Sequence, residues 1–422
     1  MTNIATISTS SRRDFLKRSA AGATLLSLAP TVPQFLLNSS AVAAANAKPG
    51  ENILVVVQLS GGNDGINTVI PYGDDVYHKN RFNTRIQNGQ VLKIDDYIGF
   101  HPSLSGFSEL MQQGQLAVLQ GIGYPNPDRS HFSSMDIWHT AVRDMEKMRR
   151  TTGWVGRYLD KYHATNAGDS AALHLGNDRQ PLACVAQRVR VPSVANMDAF
   201  KLNVGGEPQL AAIIESAAKV DRVGGKGDDL LGFLQQSTVT ALLSSKRMQE
   251  AIQQYKTSVN YPGTGLAQRM KTVAQLIDAG LSTRIYYLTL EGFDTHANQA
   301  VTHAAQLKEL GDAIAAFLKD IKEHGHDQRV LTMTFSEFGR RVKENASRGT
   351  DHGAAAPMFL AGAKVKGGAI GKHPSMTDLD EGDLKHHTDF RQVYASVLDK
   401  WLGADSKAVL GEAFKPVMAF KA

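Results

Sequence analysis

A single apolar run near the amino end of the chain constrains the fold more than any other segment. Ile53–Leu59 reads Ile-Leu-Val-Val-Val-Gln-Leu, and a near-continuous β-branched run is typical of a central parallel strand that is buried on both faces. Four further runs predict strands at Leu116–Gly121, Ile285–Leu290, Val330–Phe335 and 357–361. Segments with helical spacing separate most of these runs, and this alternation predicts a doubly wound α/β fold around a mostly parallel central sheet.

Several segments between the strands repeat apolar residues at helical spacing. They predict helices at about 102–113, 130–148, 299–323 and 388–402. Residues 208–282 are also mostly helical in pattern and are punctuated by glycines, so we predict a helical insertion that packs against the sheet. With that insertion, residues 48–422 are expected to form one α/β domain, since a chain of this size can bury a large core.

The amino-terminal region has the features of an export signal. Residues 11–17 read Ser-Arg-Arg-Asp-Phe-Leu-Lys, the twin-arginine pattern, and a mildly apolar stretch and the cleavage pattern Ala45-Asn46-Ala47 follow. We therefore predict a twin-arginine signal peptide at 1–47, the twin-arginine export machinery as a partner, and a periplasmic location. A signal that is not cleaved would instead tether the protein to the inner membrane, and a disordered basic tail is the plainer alternative.

Composition narrows the range of partners. The formal net charge of +5 includes +3 from residues 1–47, where four basic residues oppose Asp14, so the mature chain carries only +2. Without a basic stripe and interleaved aromatics, no nucleic-acid partner is expected. No later segment reaches the ~18 consecutive apolar residues of a membrane helix, so no transmembrane segment is expected in the mature chain. The single cysteine, Cys184, has an apolar setting and is expected to be a buried structural thiol.

Acidic and histidine-bearing turns lie beside four of the predicted strands. They are Asn63-Asp64, Asp294-Thr295-His296, Ser336-Glu337 and Asp351-His352. Carboxylate oxygens and imidazoles are donors that divalent metal ions take from proteins, and in open α/β sheets ligands bind outside the carboxyl ends of the strands. The sequence therefore predicts a site for one or two divalent metal ions, with zinc, manganese, magnesium and iron all open.

Two of these turns, and the arginines that follow a third, also have plainer interpretations. Asp64 follows two glycines and suits a turn in which it only caps the next element. Asp294 and His296 alternate along the chain, so they can converge on a metal ion or form an ordinary hydrogen bond. Arg340 and Arg341 fit either a bidentate contact with an anionic substrate or surface ion pairs.

Ser130 opens the predicted helix that begins near residue 130. A serine at a helix start is most often an N-cap. The same position exposes a hydroxyl beside the positive helix end, which attracts phosphate or sulfate groups, and metal coordination would make that hydroxyl a nucleophile. Both interpretations remain open for Ser130 at this point.

Taken together, the motifs resemble the domain-of-unknown-function 1501 family of twin-arginine-exported bacterial proteins. The resemblance is carried by Gly-Gly-Asn-Asp-Gly, Arg-Ser-His-Phe, Gly-Phe-Asp-Thr-His, Ser-Glu-Phe-Gly-Arg and Gly-Thr-Asp-His-Gly. That family looks like a branch of the alkaline phosphatase and sulfatase superfamily. The resemblance implies an alkaline phosphatase-like fold and the hydrolysis or transfer of phosphate or sulfate esters at one or two metal ions.

The resemblance also implies roles for particular residues. It implies metal ligands at Asp64, Asp294, His296 and His352, and a nucleophile at Ser130. Glu337 stands where an aspartate is usual, and Phe338 stands where the superfamily commonly has a histidine. Phenylalanine cannot bind a metal ion. Either His131 or Asp351 fills that position, or the site holds one ion, or catalysis has been lost.

The leading hypothesis is a periplasmic, metal-dependent hydrolase of small anionic phosphate or sulfate esters with Ser130 as nucleophile and His131 beside it. Asp64 and Glu337 would hold one ion, and Asp294, His296 and His352 a second. Substrate contacts are expected from Asn63, Arg340 and Arg341, and metal contacts from Asp64, Asp294, His296, Glu337, Asp351 and His352. The alternative is an exported binding or assembly protein that keeps the fold, and one metal ion at most, without turnover.

Overall fold

The computed structural model describes residues 51–143, 151–163, 170–194 and 253–421. The predicted signal peptide at 1–47 lies outside the described residues. So does most of the predicted helical insertion at 208–282, whose described part begins at residue 253 and contains the helix Gly265–Asp278.

The strands and helices are numbered here in chain order. The strands are β1 (Ile53–Leu59), β2 (Val69–Ile70), β3 (Leu92–Lys93), β4 (Gly99–Phe100), β5 (Leu116–Gly123), β6 (Ala172–Leu175), β7 (Ser193–Val194), β8 (Ile285–Leu290), β9 (Val330–Ser336), β10 (Ala356–Ala361), β11 (Gly368–Ile370), β12 (Leu379–Asp380), β13 (Asp383–Leu384) and β14 (Thr388–Asp389). The α-helices are α1 (Gly65–Thr68), α2 (Asp75–Asn80), α3 (Ser105–Gln112), α4 (His131–Thr140), α5 (Trp154–Tyr162), α6 (Gly265–Asp278), α7 (Gln299–Glu323), α8 (Phe390–Ser396) and α9 (Ser406–Leu410). A π-helical turn, Val397–Trp401, extends α8.

The central sheet is mostly parallel, as predicted. Its spatial order is β11-β5-β10-β9-β1-β8-β6-β7, and β14 also pairs with β5. Within it, β10 runs antiparallel to both of its neighbours, β5 and β9, whereas the other pairs are parallel. A central strand that is paired on both edges can bury both faces, and every residue of β1 is buried.

Helices cover both faces of this sheet, which makes the fold doubly wound. Alternate residues of β1 point to opposite faces, so Val55 and Val57 pack in the core beneath α3, α6 and α7. Leu54 and Val56 pack in the second core, beneath α4, α5 and α8. The described helices therefore enclose the sheet in two layers, and the predicted fold class is confirmed.

The structure shortens one predicted helix and adds elements that the sequence did not predict. Helix α4 ends at Thr140 rather than near residue 148, because Ala141 adopts a left-handed conformation with φ of 55°. The short strand β6 and helix α5 were not predicted from the sequence. Cys184 is a buried free thiol, as expected, and burial raises its pKa. Among the described residues, no helix combines the length and apolar character that crossing a bilayer requires.

The carboxyl ends of three neighbouring strands meet at one edge of the sheet. Leu59 at the end of β1 is in register with Leu290 of β8 and with Ser336 of β9. The turns that follow approach each other closely there. Gly61 has φ of +118°, and a Cβ on it would lie 2.4 Å from the backbone nitrogen of Asp294, so only glycine fits this contact.

We expect Trp138 to be a major source of stability for the second core. Its ring stacks 4.2 Å from Phe390 and 5.3 Å from Phe335. Replacing Trp138 by alanine should lower the free energy of unfolding by about 3–5 kcal/mol, because it leaves a cavity in a packed core. Phe132→Ala is the control on the same helix, since Phe132 is 87% exposed. Urea unfolding followed by circular dichroism measures both, and equal losses in the two variants would contradict this packing role.

Candidate functional site

Three side chains from separate parts of the chain form a cluster at this sheet edge. His131 is the first residue of α4, Asp294 lies in the turn after β8, and His352 lies between β9 and β10. One donor atom of each lies within 4.8 Å of the others. His352 is held in place by an isolated β-bridge to Arg340. A carboxylate and two imidazoles so arranged form a candidate metal site.

The Oδ1 atom of Asp294 lies at the centre of this cluster. It is 3.5 Å from Nε2 of His131, 3.3 Å from Nε2 of His352 and 3.1 Å from Nε2 of His296. The Nε2 atoms of His296 and His352 are only 2.9 Å apart. When both rings carry their proton on Nδ1, the two Nε2 lone pairs face each other and repel, and a cation bound between them would remove the repulsion.

The opposite nitrogen of each imidazole faces a fixed hydrogen-bond acceptor. The Nδ1 contacts are His131 to Glu337 at 2.8 Å, His352 to the carbonyl oxygen of Arg129 at 2.8 Å, and His296 to Asp351 at 3.3 Å. When Nδ1 carries the proton and donates it to such an acceptor, the lone pair of Nε2 is left for a metal ion. The Nε2 atom of His131 is buried and has no hydrogen-bond partner. The residues therefore fit a divalent ion.

Local electrostatics favour the charge states that metal binding needs at Asp294 and His352. Burial acts to raise the pKa of Asp294, but the hydrogen bond and positive charge of Arg340 outweigh it and lower that pKa. Burial lowers the pKa of His352, which favours the neutral imidazole. His131 behaves differently, because its hydrogen bond to Glu337 raises its pKa. Protons therefore compete with a metal ion most strongly at His131.

Ser130 lies directly beside this cluster, at the N-cap position of α4. Ser130 is exposed, and its hydroxyl makes no capping hydrogen bond to the helix. Its backbone N–H donates to Oδ1 of Asp128 at 2.7 Å. The residue thus occupies the cap position while its hydroxyl stays available at the positive end of the helix. Its role as nucleophile remains a prediction.

Glu337 contacts the cluster through His131 rather than directly. The side chain is 1% exposed, and its Oε1 accepts hydrogen bonds from the backbone N–H of Gly61 and from His131. Its Oε2 accepts from the hydroxyl of Ser336 at 3.0 Å. The predicted role of direct metal ligand does not fit this placement. Phe338 packs beside the cluster, with its ring centre 4.9 Å from that of His131.

Asp64 lies apart from the cluster in a fully buried ion pair, so its predicted role as a metal ligand does not fit either. Its two carboxylate oxygens accept hydrogen bonds from Arg81 at 2.5 and 3.0 Å, and one of them also accepts from Gln299. Both side chains of the ion pair are 0% exposed. Burial acts to raise the pKa of Asp64, but Arg81 outweighs it and lowers that pKa.

Asn63 is also directed into the protein rather than toward the site. Its Oδ1 accepts a hydrogen bond from the hydroxyl of Thr68 at 3.0 Å and lies 2.9 Å from Nε2 of His303. Burial lowers the pKa of His303 to about 4, so the ring is neutral and donates from Nε2 to Asn63. This buried network stabilises the first turn, and the predicted substrate contact from Asn63 does not fit it.

The two predicted substrate-binding arginines have different positions. Arg340 is 1% exposed and donates to backbone carbonyl groups of three loops and to Asp294, so neither a substrate contact nor a surface ion pair fits it. Arg341 keeps 39% of its side chain exposed and lies 3.5 Å from Asp383. Arg129, which the sequence did not single out, also pairs with Asp383. Only its position next to Ser130 hinted at a role.

A family comparison identifies the chain. The model of the DUF1501 family, described as a protein of unknown function, matches residues 51–413. The chain belongs to this family. This confirms the family resemblance drawn from the motifs, and the matched residues include every side chain of the cluster.

Similarity to curated proteins and solved structures is more distant. A glutamyl-tRNA reductase from Pseudomonas fluorescens is 28% identical over 266 residues, which are 60% of this chain and 59% of that relative. The chain thus spans about three fifths of the length of the curated relatives it matches. A Vibrio parahaemolyticus protein of the alkaline phosphatase superfamily is 8% identical, with a TM-score of 0.40 and coverage of 87% of this chain and 70% of that one. The PsFucS1 sulfatase from Pseudoalteromonas sp. is 11% identical, with a TM-score of 0.39 and coverage of 95% and 74%.

We expect the ion pair of Asp64 and Arg81 to dominate the stability of the turn that follows β1. Arg81→Met should lower the free energy of unfolding by about 3–5 kcal/mol, because it leaves a buried carboxylate without its countercharge. Adding Asp64→Asn should restore part of the loss. Arg85→Met is the control, since Arg85 makes a single longer hydrogen bond to a carbonyl oxygen.

The same pair gives a pH dependence with a defined sign. Because the folded-state pKa of Asp64 is lowered, its stabilisation is present above the ordinary carboxyl pKa of 3.8 and is lost as the pH falls further. The difference between wild type and Asp64→Asn in denaturant unfolding should therefore shrink in acid. A difference that grows as the pH falls would contradict the ion pair.

Proposed function

We propose that this protein is an exported, periplasmic, metal-dependent hydrolase of phosphate or sulfate esters. The observation that carries the proposal is the convergence of His131, His296 and His352 on Asp294, with each imidazole oriented by a second acceptor. Export is inferred from the twin-arginine pattern at residues 11–17.

The donor set of the cluster narrows the choice of metal. Imidazole nitrogens suit zinc and iron, whereas magnesium prefers an all-oxygen environment. The cluster offers imidazoles and the carboxylate of Asp294, so zinc and iron are favoured over magnesium. A divalent ion bound there would supply a Lewis acid that draws charge from an ester oxygen.

Ser130 is the nucleophile in this proposal. Its Oγ would form a bond to phosphorus or sulfur while the ester alcohol leaves, and water would then cleave the serine ester. The hydroxyl proton of Ser130 goes to the leaving alcohol in the first step. In the second step water gives its oxygen to phosphorus or sulfur and a proton to Oγ, which regenerates the serine. Support comes from the exposed, uncapping hydroxyl of Ser130 and from its place directly before His131. The positive end of α4 would also attract the anionic group.

Arg341 is the proposed contact for the anionic group of the substrate. Its guanidinium is only partly buried, and its nearest carboxylate lies 3.5 Å away, so it keeps donors free for a ligand. Arg129 is held more firmly, by hydrogen bonds to Asp383 at 2.8 Å and to Glu381 at 3.1 Å. Asp383 thereby contacts both arginines and holds them beside each other. A small anionic ester is the substrate class that this arrangement suits.

A binding or assembly protein without turnover is the second candidate. Phe338 is the observation that favours it, because its ring lies 4.9 Å from that of His131 and 4.7 Å from that of His352. An apolar ring at that position removes a donor that a catalytic site would use. The reductase activity in the name of the curated relatives is not proposed, since the cluster supports metal chemistry and those matches reach only 28% identity.

Removing two members of the cluster should remove the metal. We expect purified mature protein to retain a divalent ion and the variant Asp294→Asn/His352→Ala to lose it, because one carboxylate and one imidazole are deleted together. The matched control is Asp278→Asn/His326→Ala, another aspartate–histidine pair at 3.1 Å. Elemental analysis by mass spectrometry measures both, and unchanged metal content in the first variant would refute the site.

Removing the hydroxyl of Ser130 should abolish turnover without affecting metal content. Ser130→Ala is expected to lower kcat by about 10³-fold or more, measured with aryl phosphate, phosphodiester and aryl sulfate substrates. Ser133→Ala on the same helix is the control. Wild-type activity in Ser130→Ala would exclude the serine as nucleophile, and no turnover in wild type on any substrate would favour the binding protein.

A further inference from the structure

We propose that the site holds a single divalent ion and that Glu337 is the positioning residue of one ligand, His131. This inference rests on the metal-binding part of the proposed function. It concerns the four carboxylates at the sheet edge, which are Asp64, Asp294, Glu337 and Asp351. Their partners decide how many ions the site can hold.

Arg81 supplies a permanent countercharge to Asp64. Besides its two bonds to that carboxylate, its guanidinium donates to the backbone carbonyl groups of Val342 and Arg341, each at 2.7 Å. To bind a metal ion, Asp64 would have to abandon a fully buried guanidinium, which costs about 3–5 kcal/mol. Arg81 therefore takes the place that a second cation would occupy beside Asp64.

Glu337 and Asp351 each contact the Nδ1 atom of one imidazole. The Oε1 atom of Glu337 also accepts from the backbone N–H of Gly61, and its Oε2 lies 3.0 Å from the hydroxyl of Ser336. Asp351 lies 3.3 Å from Nδ1 of His296 and accepts from Asn345 at 3.0 Å. Glu337 thus orients the ligand His131, and Asp351 orients His296 beside the site.

The remaining charge suits one ion. Of the four carboxylates, Asp294 alone directs an oxygen to the Nε2 atoms of the cluster, and the buried guanidinium of Arg340 lies 2.7 Å from that same oxygen. A second divalent ion would add two positive charges beside Arg340 and the first ion, and none of the other three carboxylates is directed at the Nε2 atoms to offset them. The ligands of the single ion are then His131, Asp294 and His352, with His296 at its side.

The ion count is tested on the full mature chain. The protein is stripped with chelator and loaded separately with Zn²⁺ and Mn²⁺, and bound metal is counted by native mass spectrometry and elemental analysis. We expect one tightly bound ion per chain in wild type and in Asp64→Asn, and none in Asp294→Asn/His352→Ala. Two tight ions in wild type would overturn this inference but not the hydrolase proposal. No bound ion in wild type would overturn both the one-ion inference and the proposal of a metal-dependent hydrolase.

The positioning role is tested by Glu337→Gln. Glutamine keeps an oxygen that accepts from Nδ1 of His131 but removes the negative charge, so the dissociation constant for Zn²⁺ should rise about 10- to 100-fold. The variant should still bind one Zn²⁺ ion per chain. Competition with a coloured chelator measures the constant, and the absorption spectrum of the Co²⁺-loaded protein reports on the ligand set.

The matched control is Glu344→Gln. Glu344 is also a hydrogen-bonded carboxylate, but it accepts from Asn83 and Thr84 rather than from a histidine. The dissociation constant of the Glu344→Gln variant for Zn²⁺ should equal that of wild type. An unchanged constant in Glu337→Gln, or a ligand-field spectrum that shows the loss of a direct oxygen ligand, would overturn the positioning role. Circular dichroism of both variants separates a loss of affinity from a loss of fold.

Discussion

The buried guanidinium of Arg340 is the interaction on which the geometry of the site depends. It donates to the carbonyl groups of Gly61 and Gly62 after β1, of Phe293 after β8 and of Thr350 before His352. It also donates to Asp294. These loops come from distant parts of the chain, and their carbonyl groups would be unsatisfied without a central donor. One planar cation thus joins them and directs Asp294 toward the three imidazoles.

A second buried arginine sets the charge on the other side of the first turn. Arg81 neutralises Asp64 in the interior, and among the described residues only Asp294 directs a carboxylate oxygen at the cluster. Burial strengthens the pairing of Arg81 with Asp64, because both side chains are fully buried and water no longer competes for their charges. The same two arginines that stabilise the turns therefore limit how much positive charge the site accepts. In the proposed one-ion site, the stability of the turns and the binding of a metal ion thus depend on the same two side chains.

Much of the fold could be predicted because its apolar patterns are local. β1, β8 and α7 have the boundaries expected from sequence, since each pattern is long and is buried as expected. β6 was missed because its four residues include a histidine and form too short a run to stand out. The end of α4 was missed because the left-handed turn at Ala141 has no sequence signal of its own. The turn with Asp294 and His296 was found from spacing alone.

The sequence by itself determined the layered α/β fold and the edge of the sheet where the site lies, because buried strands and the turns after them follow from local hydrophobic pattern. It also singled out Asp294, His296 and His352. Only the tertiary structure decided which carboxylates face the cluster. Asp64 pairs with Arg81, which is 17 residues away in the sequence, and Glu337 is hydrogen-bonded to His131, which is 206 residues away. Such pairings depend on how the loops pack, and no local pattern in the chain records them.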